Sequence, residues 1–133
     1  MILVTNNPKV QGDPGISCDK EYIEGSLKDV LIAVRDRIHK GHKLLSHPLS
    51  GSLKPNETPY KSILISKEAG SMDWDSLQII ENSIKVCEKF VRYPKKCGYN
   101  NQERLLADFS EVDYQLIVAA LKSAADKVGG EIL

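Results

Sequence analysis

A chain of 133 residues fits one domain, here 1–133, and is long enough to bury a core of its own. Eighteen Lys/Arg balance eighteen Asp/Glu, so no overall field draws it to nucleic acid or to a membrane surface, and neither is expected as a partner. No apolar run approaches the ~18 residues of a membrane span, Met1-Ile2-Leu3-Val4 has no leader character, and Cys18, Cys87 and Cys97 form no CxxC pair, which together predict a cytoplasmic protein with free thiols.

Ile2 to Thr5 is an apolar, β-favouring run stopped by Asn6-Asn7-Pro8, a strand followed by a turn. Lys9 to Lys20 carries Gly12, Pro14 and Gly15 and reads as loop with at most one helical turn; Glu21 to Glu24 reads as a second strand. Ser26 with Asp29 forms a capping-box pair that opens a helix. Leu27, Leu31, Val34 and Ile38 give that helix one apolar stripe, and Gly41 ends it. Lys43 to Ser46 is read as the next strand, paired in parallel through a crossover. Lys61 to Lys67, built on Ile63-Leu64-Ile65, is the strand with the strongest pattern, that of one covered on both faces.

A helix from about Asp75 to Tyr93 follows, with Leu77, Ile80, Ile84 and Cys87 inward, Met72 and Trp74 as a hydrophobic staple at its start, and Pro94 as its stop. Gln102 to Phe109 reads as a short helix. Ser110 with Asp113 reads as the cap of a last one that ends at Gly129-Gly130. The predicted fold is a small single α/β domain with a mostly parallel sheet flanked by helices on both faces. Ligands in such sheets sit beyond the carboxyl ends of the strands.

The stretch from His39 to Lys61, HKGHKLLSHPLSGSLKPNETPYK, holds all three histidines and three of the six prolines. From Arg35 to Lys61 six Lys/Arg stand against Asp36 and Glu57, whereas the chain from Asn101 onward is net acidic. The loop from His47 to Pro59 exceeds the usual connection length, and loops of that length are commonly functional. Ser50-Gly51-Ser52 supplies hydroxyls and amides, Lys54 and Lys61 supply cations, and the prolines limit the entropy lost on binding. The bland reading is a stiff surface connection.

With Thr5 and Asn6 at the first strand end, the candidate anion or ligand set is Thr5, Asn6, His47, Ser50, Ser52, Lys54, Asn56 and Lys61. His47 is the proton-handling candidate. No metal site is expected, because Gly41 breaks the helical spacing between His39 and His42, and no cofactor is implied. Neither a Ser-centred elbow nor a Walker loop is present. Cys97, preceded by Lys95 and Lys96, is at most a reactive thiol, and a spectator is the simpler reading.

The segment ILVTNNPKV resembles the amino-terminal phosphate loop of the inosine-triphosphate pyrophosphatase family, without that family's lysine-spacing glycine. A wider resemblance covers most of the chain. ILVTNNP, EYIEGS and above all HKGHKLLSHPLSGSLKPNETPYKS are similar to the GrdX family. The resemblance implies genes encoded beside components of glycine, sarcosine and betaine reductases in anaerobic bacteria, with no catalytic residues to carry over.

Three readings follow. The first is an accessory or regulatory factor of such a reductase system, binding a reductase component or a small anionic metabolite through residues 39–61. The second is a small enzyme or binding protein for a phosphorylated metabolite or nucleotide. In the third the central loop is a homodimer contact.

Overall fold

A computed structural model describes residues 1–49, 58–91 and 102–127. In chain order the elements are β1 (Ile2–Thr5), α1 (Pro8–Gln11), β2 (Asp19–Tyr22), α2 (Leu27–His39), β3 (Ser62–Ile65), α3 (Trp74–Val91) and α4 (Gln102–Lys127).

The sheet has three strands in the order β2-β1-β3. β1 pairs with β2 in parallel, Ile2 opposite Asp19 and Thr5 opposite Tyr22. It pairs with β3 antiparallel, Ile2 opposite Ile65 and Thr5 opposite Ser62. The sheet is therefore small and mixed, not mostly parallel. The predicted third strand at Lys43–Ser46 accounts for much of that correction. It reduces to one antiparallel bridge, Leu44 with Ile65, and the Leu64 N–H goes to the Ser46 hydroxyl, 2.9 Å away, in place of a backbone partner. β3 takes the place beside β1, and residues 43–46 lie beyond it.

Side chains alternate across the strands. Val4, Ile63 and Ile65 join Leu27, Val30, Leu31, Val34 and Ile38 of α2 and Ile80, Ile84 and Cys87 of α3 in one core. Leu3 and Leu64 join Val10, Ile16, Ile117 and Ala124 in a second core beneath α1 and α4. Helices thus cover both faces.

The start and end of α2 follow the sequence closely. The Ser26 hydroxyl accepts from Asp29 N–H (3.2 Å), and the Asp29 carboxylate accepts from Ser26 N–H (2.8 Å). At the other end Gly41 N–H bonds Ile38 C=O and His42 N–H bonds Arg37 C=O, the paired closure that needs a left-handed residue between them. Gly41 provides it at φ 107°, and a Cβ there would sit 2.0 Å from the Gly70 carbonyl oxygen.

Three further readings are corrected. β2 begins two residues before the predicted strand. Gln102–Lys127 is one continuous helix, since no Gly or Pro interrupts it, and Ser110 lies inside it and not at a cap. Trp74 is 72% exposed and makes no staple; the N-terminus of α3 is instead served by Asp73, whose carboxylate accepts from the Ser76 N–H and hydroxyl.

Candidate functional site

β1 ends in Thr5-Asn6-Asn7, and all three polar side chains are buried. Asn6 binds the two chain segments that enter α2 and β3. Its Oδ1 accepts from Lys61 N–H (2.8 Å), and its Nδ2 donates to the carbonyls of Pro59 (2.8 Å) and Gly25 (3.1 Å). One amide side chain therefore fixes where the central loop returns to the sheet and where α2 starts.

Thr5 and Asn7 face α4. The Ser62 hydroxyl lies 2.7 Å from Asp113 Oδ2 and 2.7 Å from Thr5 Oγ1. A hydroxyl has one proton, and an ionised carboxylate only accepts. Ser62 therefore donates to Asp113, and Thr5 donates to Ser62. Thr5 Oγ1 in turn accepts from Asn7 N–H at 3.0 Å. Asn7 Nδ2 donates to Asp113 Oδ2 and to the Ser110 carbonyl, while its Oδ1 accepts from the Ser110 hydroxyl and Lys9 N–H. Every hydrogen-bonding position of the Asn7 amide is used. Burial lowers the Lys61 ammonium pKa from its ordinary value, and the Asp113 charge pulls it back up.

Of the predicted ligand set, the structure brings Thr5, Asn6 and Lys61 together at this rim. His47 is exposed, and its Nδ1 accepts from Leu49 N–H at 3.1 Å. Ser50, Ser52, Lys54 and Asn56 lie outside the described residues, as does Cys97. His42 is buried, with Nδ1 2.7 Å from the Ser66 carbonyl, whereas His39 is exposed. Among the described residues no three His, Cys, Asp or Glu side chains are grouped as a metal ion would require.

Sequence reading missed Asn7, Ser62, Ser110 and Asp113. The available signal was Asp113 itself, a carboxylate four residues before Ile117 on an otherwise apolar stripe.

Beside Asn6 an open groove of about 330 Å³ runs along the start of α2, walled by Ser26, Lys28, Thr58, Tyr60 and Cys87 among others. That volume is at the small end of small-molecule sites. The groove offers a cation at Lys28, which also pairs with Glu88 at 3.3 Å. Thr58 Oγ1 accepts from Tyr60 N–H (3.2 Å), a bond that does not use the hydroxyl proton. Cys87 lines the groove, but burial raises its pKa, so it is a poor nucleophile. These groups can hold a small polar molecule.

The fold and rim define a small mixed α/β protein with a largely apolar groove beside a strand end, into which Ser26, Lys28 and Thr58 bring polar groups. The sequence profile of the family described as GrdX-like protein matches residues 2–122, and the chain belongs to that family. No curated protein and no solved structure matches it significantly.

Proposed function

We propose that this chain is a non-catalytic accessory or regulatory factor of a glycine, sarcosine or betaine reductase system, and that it binds a reductase component or a small anionic metabolite through residues 39–61 and the adjoining rim. Family membership over residues 2–122 carries this reading. The local chemistry supports it: Thr5, Asn7, Ser62 and Asp113 satisfy one another, and Asn6 holds the base of the loop through Lys61 N–H and the Pro59 carbonyl. They act as a mount for a binding loop rather than as acid, base or nucleophile. The test is capture of reductase components by the tagged chain, together with melting-temperature shifts in glycine, acetyl phosphate and phosphate. Capture of a component, or a shift with one of the three, is expected; neither occurring would remove the proposal.

The groove at the start of α2 favours a second reading, a small enzyme or binding protein for a phosphorylated metabolite or nucleotide. In that reading Lys54 and Lys61 would hold the phosphate and His47 would handle a proton, since the Thr5 and Asn6 side chains already have protein partners. A turnover screen over phosphorylated metabolites, with the wild type and His47→Ala, separates the two. Turnover lost in the variant favours the enzyme, and no turnover in either favours the accessory factor.

A further inference from the structure

α4 is a 26-residue helix laid over four-residue strands, and among the described residues only part of its circumference is packed. Ser110, Asp113 and Ile117 face the sheet. The flank carrying Glu111 and Tyr114 is taken by α1 and the turn after it, through Lys9 with Glu111 and through the Tyr114 hydroxyl donating to Asp13.

The remaining flank holds Leu105, Phe109, Val112, Leu116, Ala119 and Ser123, with no charge among them. Their spacing of four, three, four, three and four is the seam of a two-helix coiled coil. Val112 is 40% and Leu116 38% exposed, Ala119 is exposed, and Leu105 and Phe109 are half-buried. Among the described residues, neither hydrophobic core includes any of the six.

We propose that this stripe is a homodimer contact, with α4 packed antiparallel on α4 of a second copy. A two-fold axis makes the surface complementary to itself. In an antiparallel seam Val112 meets Leu116 of the second copy, Phe109 meets Ala119 and Leu105 meets Ser123. Each layer then pairs a larger side chain with a smaller one, or two of middle size. A parallel pair would instead set Phe109 on Phe109 and Ala119 on Ala119, crowding one layer and leaving the other underfilled.

Charge gives the same answer. On the flank of the seam the antiparallel register sets Asp108 opposite Lys122 of the second copy, twice by symmetry, with Gln115 near the axis. Both Asp108 and Lys122 are exposed on their own chain. The seam from Leu105 to Ser123 runs for about 27 Å. It lies about a third of a turn from the face that packs on the sheet.

Sedimentation of the full chain over a concentration series tests this. The wild type is expected to dimerise. Val112→Glu is expected to give a monomer with unchanged helical circular dichroism. Asp108→Lys and Lys122→Asp, both on the surface, are each expected to weaken the dimer about tenfold. The double variant D108K/K122D is expected to regain wild-type affinity, because the swap restores both pairs. A wild type that is monomeric at every concentration, a dimer indifferent to Val112→Glu, or a double variant no tighter than the singles overturns the proposal.

Discussion

On one face of the sheet Val4, Ile63 and Ile65 pack with apolar side chains from α2 and α3. On the other, Leu3 and Leu64 make a smaller core, and the end of the face is closed by hydrogen bonds that link Asn7 and Ser62 to Ser110 and Asp113 of α4, with Thr5 bonded in turn to Ser62. The first face is held by burial of apolar surface, which is non-directional. The second is held by bonds with fixed lengths and angles, which set the position of α4 against the strand ends. The polar face lies at the rim where the central loop returns. The contrast teaches that placement matters more at that end of the molecule than burial does.

Four substitutions break or sharpen the contrast. Leu31→Ala, at a fully buried position of the apolar face, is expected to cost about 4 kcal/mol in urea unfolding and to weaken the whole fold. Asp113→Ala strips the acceptor from Ser62 and Asn7 and removes the carboxylate that faces Lys61; it is expected to cost about 3 kcal/mol. Its signature differs from that of Leu31→Ala: amide exchange should rise first in α4 while α2 and α3 stay protected. Uniform loss of protection in both variants would erase the distinction between the two faces.

Ser26→Ala removes half of the capping box at the groove and is expected to cost about 1 kcal/mol, read from the shift of the urea midpoint. The smallest effect is one of pH. The Tyr114 hydroxyl is the main cause that holds the Asp13 carboxyl below its ordinary pKa. The stability this adds is present above the ordinary carboxylate range and is lost as pH falls through the lowered folded-state value. Tyr114→Phe is therefore expected to lose a little stability at neutral pH and none well below the carboxylate range. An equal loss at both would mean that the ring, not the hydroxyl, does the holding.

The apolar face was legible because its residues repeat at local spacings. Leu27, Leu31, Val34 and Ile38 mark α2, Ser26 and Asp29 mark its start, and Gly41 marks its end. The direction of β3 was not legible, because a run such as Ile63-Leu64-Ile65 suits either orientation. The polar face was hidden for a different reason. Asn7 and Asp113 are 106 positions apart, and nothing local distinguishes an Asp that caps a helix from one that anchors it. Ser110 with Asp113 has the spacing of a capping pair, yet Ser110 turns its hydroxyl to Asn7 from inside a helix. In the sequence Thr5, Asn6 and Lys61 read as ligand groups. The structure joins them at one rim and gives Thr5 and Asn6 protein partners there.

The most direct measurement is titration of the purified chain with each component of a glycine reductase system, and with glycine, acetyl phosphate and phosphate, beside the variant in which Lys54 and Asn56 are both alanine. Saturable binding to at least one of them, lost in the variant while the melting temperature of the unliganded chain is unchanged, is the predicted result. No binding to any of them, or binding that the variant retains in full, would contradict the assignment of the central loop as the working surface of this protein.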